Sequence, residues 1–219
     1  MKVRYVVIVA VASVVLAMVG LYLVAMPKGA SVSSSSAAIA DRQALLERPH
    51  APLAGNPEAR VHIVEFLDPA CETCRDFYPL VKKILADNPD RINLRVRLLA
   101  FHKGSDFVVR LLEASKNQGK FWPVLERLLA TQPRWVVQHT VNPELAWEQI
   151  TNLGLNLDQL KADMDSPGVA QNVALDLQDA KALKVTQTPE YFVNGKGMPE
   201  FGYEQLRKLV SDALAEAYR

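Results

Sequence analysis

Two cysteines, Cys71 and Cys74, stand between a strand signal and a helix signal, and that junction constrains the fold more than any other feature of the chain. Val61 to Leu67 (VHIVEFL) is β-branched and aromatic, reads as a buried strand, and ends at Asp68-Pro69. From Glu72 to Ala86 the apolar residues Phe77, Leu80, Val81, Ile84 and Leu85 follow a helical period that Asn88-Pro89 stops. Ile92, Leu94, Val96 and Leu98 then alternate with Asn93, Arg95 and Arg97, which predicts a second strand. A helix connects the two strands, so they are expected to run parallel.

In that setting Cys71-Glu72-Thr73-Cys74 reads as a dithiol redox motif. Zinc is a competing reading, but it would need a second C-x-x-C or closely spaced histidines. The chain has no other cysteine, and His50, His62, His102 and His139 are scattered. An inert structural disulfide is the third reading. The helix N-terminus favours a thiolate through its unpaired amides and its dipole. Cys71 is therefore expected to be exposed and acidic. Cys74, nearly one turn later, is expected to be more buried and to act as the resolving thiol.

Residues 104–185 carry no comparable strand signal. Helices are expected at about 105–117, 120–131, 144–153, 156–164 and 168–183, punctuated by Pro123, Pro133, Gly154 and Pro167. Tyr191-Phe192-Val193 before Asn194-Gly195 predicts a strand entering a tight hairpin. An amphipathic helix closes the chain at roughly 203–218. The expected fold is α/β, with a helical domain inserted at about 104–185 and a main domain spanning 49–219.

Residues 1–26 are read as a signal anchor. Tyr5 to Met26 is a run of 22 residues without a charge, and about 20 suffice to cross a hydrocarbon core. Lys2 and Arg4 precede the run, which places the N-terminus in the cytoplasm and the rest across the membrane. A cleaved signal peptide is the rival reading, with a possible site at Ala38-Ile39-Ala40. Residues 27–48 read as a serine-rich linker followed by a short helix from about Ala40 to Glu47. Residues 41–219 hold 22 basic and 24 acidic residues, so nothing in their charge claims nucleic acid.

The stretch from Val64 to Cys74 (VEFLDPACETC) resembles the active-site region of the thioredoxin superfamily, and more narrowly its DsbA-like branch of bacterial thiol–disulfide oxidoreductases. The lead-in Pro52 to Val61, the helical block and Thr188 to Lys196 (TPEYFVNGK) fit the same branch, so the resemblance covers roughly residues 50–217. It implies a thioredoxin-like fold and an enzyme that forms, reduces or isomerises disulfides in protein substrates through Cys71 and Cys74. No organic cofactor and no metal are required. A membrane redox partner that resets the dithiol is implied. The expected location is a bacterial inner membrane, with the catalytic domain in the periplasm or outside the cell.

Three further features come with the resemblance. Glu65, six positions before Cys71, matches a buried acid that can relay a proton to Cys74. Its plain alternative is a strand-end acid facing solvent. Thr188-Pro189 matches a cis-proline loop facing the dithiol, where the Thr188 backbone can pair with a substrate strand. An ordinary trans turn proline is the alternative. Many strongly oxidising members carry Pro-His between the cysteines. Glu72-Thr73 replaces it here, and a nearby glutamate is expected to oppose the Cys71 thiolate by like-charge repulsion.

The direction of electron flow stays open at this point. The alternatives are a reductase for a restricted client, such as an apocytochrome or metal-site protein, and a Cu(I) chaperone using the thiols as soft ligands. His102 reads as a capped loop histidine, with a metal or proton role as the alternative. Phe121, Trp122 and Trp135 read as packing within the helical block.

Overall fold

The computed structural model describes residues 41–219. The expected anchor over residues 1–26, and the linker up to residue 40, lie outside the described residues. Among the described residues no helix is long and apolar enough to cross a membrane.

Residues 41–46 are helical. The strands are β1 (Leu53–Gly55), β2 (Val61–Leu67), β3 (Ile92–Leu98), β6 (Glu190–Val193) and β7 (Lys196–Gly197), in one sheet of order β1-β3-β2-β6-β7. Strands β2 and β3 pair parallel, with helix α1 (Glu72–Asp87) connecting them. Strand β6 runs antiparallel to β2 and turns into β7 through Asn194-Gly195. Both turn residues have positive φ, 46° and 78°, the geometry for which an Asn-Gly pair is favoured. Helix α7 (Tyr203–Ala217) follows.

Between β3 and β6 lies a helical insertion: α2 (Ser105–Ser115), α3 (Phe121–Ala130), α4 (Pro143–Glu148), α5 (Leu157–Met164) and α6 (Pro167–Ala182). The starts of α4, α5 and α6 are capped by Asn142, Asn156 and Ser166, each accepting from an amide three residues on. Trp135 and Phe121 are buried, as packing residues should be, and Trp122 is partly buried against the same core.

Two features depart from the sequence reading. The lead-in at 53–55 is an edge strand, β1, held antiparallel to β3. Inside the helical block, β4 (Val136–Val137) and β5 (Thr140–Val141) form a small hairpin. Strands of two or three residues are too short to carry a period-two signal.

Alternation along β2 sorts the two faces. Val61, Ile63 and Leu67 enter the main core beneath α1 and α7, with Glu65 between them in register. Val64 and Phe66 face a second cluster formed with Leu46, Leu99, Ala180 and Phe192. Both faces of the sheet are therefore covered, and this explains Arg97. Arg97 alternates with the apolar residues of β3, yet it is fully buried. Its Nε donates to Asp176 at 2.7 Å and its Nη2 to Asp179 at 2.6 Å, both on α6, while Nη1 donates to the Leu45 carbonyl at 2.6 Å. Arg48 adds two bonds of 2.7 Å to Asp179. The compact unit that holds this network runs from Arg42 to Arg219.

Removing one partner of such a network strands buried charge, which typically costs about 3–5 kcal/mol. Arg97→Met is expected to lower the unfolding midpoint by roughly 10 °C, at about 2–4 °C per kcal/mol for a domain of this size. Thermal denaturation checks it. A change of less than about 2 °C would mean that the network is energetically silent.

Candidate active site

Three segments meet at the C-terminal end of β2: the strand-to-helix junction, the loop after β3, and the loop before β6. Asp68 organises the first two. Its carboxylate is fully buried and accepts from Ala70 N at 2.8 Å, Phe101 N at 2.7 Å, His102 N at 2.9 Å and Ser105 Oγ at 3.1 Å. The His102 ring nitrogen Nδ1 lies 2.8 Å from the same carboxylate. In the sequence Asp68 reads only as a strand terminator. Its role as an anchor needs the loop after β3 folded against it.

Cys71 is the N-cap of α1, at the end of the helix dipole that favours a thiolate. Both cysteines are free thiols. Contrary to the expected exposure, Cys71 is only 5% exposed, because the loop before β6 covers it. The Thr188-Pro189 bond is cis, and the Thr188 carbonyl accepts from the Cys71 thiol at 3.1 Å. The Cys71 pKa is lowered from 9.0 to about 6. The main cause is a hydrogen bond from Cys74. Burial opposes the shift, while the Thr188 side chain, the Cys74 amide and the charge of His102 assist it. The bond to the Thr188 carbonyl belongs to the protonated thiol and is lost on ionisation.

Cys74 is fully buried, and its pKa is raised well above the ordinary value, chiefly by burial and by its bond to Cys71. The two thiols are thus driven apart. Glu65 lies in the same core, fully buried. Its Oε1 accepts from the Tyr191 hydroxyl at 2.9 Å, across the β2–β6 pairing of the two residues. Its Oε2 has no partner among the described residues. Burial raises the Glu65 pKa from 4.5 to about 8, with the Tyr191 bond opposing and Cys71 assisting. The solvent-facing alternative for Glu65 is excluded by this placement.

Glu72 meets His139, with Oε1 3.2 Å from Nδ1. A charge that helps to lower the Cys71 pKa comes from His102, 31 residues downstream. The insertion adds a residue that the motif could not reveal. Gln132 is fully buried, and its Nε2 donates to the carbonyls of Pro69 at 2.8 Å and Cys71 at 3.0 Å, which clamps the backbone of the dithiol loop. A lone glutamine after a helix carries no signal of that role.

The chain as a whole is similar to known proteins. Over 161 residues the chain is 32% identical to the Na(+)/H(+) antiporter NhaA of Herminiimonas arsenicoxydans, covering 72% of this chain and 25% of that protein. It therefore spans about a quarter of the length of the curated antiporters it matches. Disulfide bond formation protein D of Bacillus subtilis is 26% identical over 171 residues, 74% of this chain and 77% of that protein. A thioredoxin-like oxidoreductase from Silicibacter pomeroyi superposes with a TM-score of 0.68 at 29% identity, covering 78% of this chain and 96% of the other. The thioredoxin family model (Thioredoxin_4) matches residues 47–212, from the lead-in through the dithiol and the cis-proline loop into the last helix, and this chain belongs to that family.

Proposed function

We propose that this chain is an extracytoplasmic thiol–disulfide oxidoreductase that works on protein substrates and acts as a moderate oxidant, forming disulfides. The observation that carries this reading is the split between the two thiols: an acidic Cys71 at a helix N-terminus over a buried, high-pKa Cys74. A stabilised thiolate on the reduced side makes the disulfide a better oxidant. The name of the Bacillus relative, a disulfide bond formation protein, agrees with that direction.

In the proposed cycle a substrate thiolate attacks the Cys71 sulfur of the oxidised pair. The Cys71–Cys74 bond breaks, and the electron pair leaves on Cys74. Glu65, protonated at neutral pH by virtue of its raised pKa, is the relay that supplies the proton Cys74 then requires. A second substrate thiol displaces Cys71 as a thiolate. The substrate has lost two electrons and the dithiol has gained them, so a membrane redox partner must reoxidise it. Thr188 and Pro189 form the edge along which an extended substrate segment pairs. The uncharged run from Tyr5 to Met26 supports a membrane-anchored location with the domain outside the cytoplasm.

Titration of the thiolate absorbance is expected to give a Cys71 pKa of about 6. Equilibration with glutathione should place the reduction potential between about −270 mV, typical of a reductase, and about −120 mV, typical of the strongest oxidase. A Cys71 pKa at the free-thiol value of about 8.5, or a potential below about −270 mV, would overturn the oxidant reading.

A further inference from the structure

We propose that Glu72, His102 and His139 form a divalent metal site at the rim of the dithiol, suited to a borderline first-row cation such as Zn2+. One donor atom from each residue lies within 4.8 Å of the other two. The three come from three different elements: the first turn of α1, the loop after β3, and the β4–β5 hairpin inside the insertion. This convergence is invisible in the sequence, where the histidines stand 37 positions apart.

Each ligand has a structural reason to be where it is. Asp68 engages His102 Nδ1 at 2.8 Å, which leaves Nε2 as the nitrogen available to a cation. Buried carboxylates of this kind commonly orient metal-binding imidazoles and raise their basicity. His139 sits on the hairpin turn, where Gln138 and His139 both have positive φ, 49° and 58°. Two consecutive non-glycine residues in that conformation typically cost about 1 kcal/mol or more each. The turn is held by the pairing of Lys103 with Thr140 and by Val141 N donating to Lys103 O at 3.0 Å. Those contacts tie the His139 hairpin to the residue next to His102. Glu72 Oε1 and His139 Nδ1 are 3.2 Å apart, close to the roughly 3.3 Å between donors on a tetrahedral ion with bonds of about 2.0–2.1 Å.

Two imidazoles and one carboxylate suit Zn2+, Cu2+ or Ni2+ better than Ca2+, which prefers an all-oxygen shell. Glu72 is 38% exposed and His139 75% exposed at the side chain, so a cation reaches the site directly from solvent. The site uses neither cysteine, which separates it from metal capture by the thiols.

The test uses the untagged full chain carrying Cys71→Ser and Cys74→Ser, so that no thiol can bind metal, titrated with Zn2+ by calorimetry. The expected result is one Zn2+ per chain, not displaced by a hundredfold excess of Ca2+. Adding His139→Ala or Glu72→Ala should weaken it by about tenfold or more. His139 is exposed on a turn, so circular dichroism should find that variant folded. Co2+ in place of Zn2+ should give the visible bands of a low-symmetry site. No binding, or binding that His139→Ala and Glu72→Ala leave unchanged, would overturn the proposal and reduce the cluster to a surface ion pair beside a capped histidine.

Discussion

Replacing Cys71 with serine is expected to abolish disulfide exchange, with a loss of at least roughly 10⁴-fold, the scale seen when a covalent nucleophile is removed. Cys74→Ser should behave differently. It keeps the acidic thiol at the helix N-terminus but has no second thiol to break the intermediate, so mixed disulfides with substrate should accumulate. The asymmetry follows from the surroundings of the two sulfurs. Cys71 is the N-cap, faces the Thr188 carbonyl and has a pKa of about 6, whereas Cys74 is fully buried with its pKa pushed up. Non-reducing electrophoresis and intact mass after incubation with an unfolded thiol-bearing protein check both variants. Adducts on Cys71→Ser rather than on Cys74→Ser would reverse the assignment of attacking and resolving thiols. Because Cys71 is 5% exposed, small probe thiols should react more readily than bulky folded partners.

Glu65→Gln is expected to change how stability depends on pH. The folded-state pKa of Glu65 is raised from 4.5 to about 8, so between those values the native state holds a proton that the unfolded state has lost. Stability from this group is therefore full below about pH 4.5 and falls as pH rises to about 8. At about 1.4 kcal/mol per unit, the fall amounts to about 5 kcal/mol, an upper bound for a site that can admit water when it ionises. Cys71 has the opposite sign. Its pKa is lowered from 9.0 to about 6, so its contribution grows as pH rises through that interval. The two slopes oppose each other between about pH 6 and pH 8. In reduced protein, denaturant unfolding should find wild type nearly flat across that window. Glu65→Gln, which keeps an acceptor for Tyr191, should become more stable with rising pH, and Cys71→Ala should become less stable. Parallel profiles for wild type and Glu65→Gln would mean that Glu65 is ionised in the native protein. If Glu65 also relays the proton to Cys74, the variant should release substrate from the mixed disulfide more slowly at neutral pH.

Much of the frame was readable from local patterns. The β-branched run 61–67, the helical period after Cys71 and the alternation at 92–98 are each set by side-chain periodicity, and each forms the predicted element. Asn194-Gly195 specifies its hairpin because both positions need positive φ. The helix starts expected at about 144, 156 and 168 lie within one residue of the observed starts at Pro143, Leu157 and Pro167. The C-x-x-C itself was legible because its chemistry depends on a strand-to-helix junction, and that junction is local.

What the sequence by itself determined, then, was the dithiol and the elements on either side of it, since these rest on interactions within a few residues. Only the tertiary structure decided what surrounds the dithiol. Long-range contacts bury Arg97 despite its place in an alternating strand, cover Cys71 with the Thr188 carbonyl, and aim Asp68 at His102. The motif has no histidine between its cysteines, yet the fold returns one to Cys71 from the loop after β3. Glu72, read as an opponent of the thiolate, meets His139 on a hairpin inside the insertion. The physical reason is the same in each case. A charge acts through distance and burial rather than through position along the chain, and both are set only when the insertion closes over the end of the sheet.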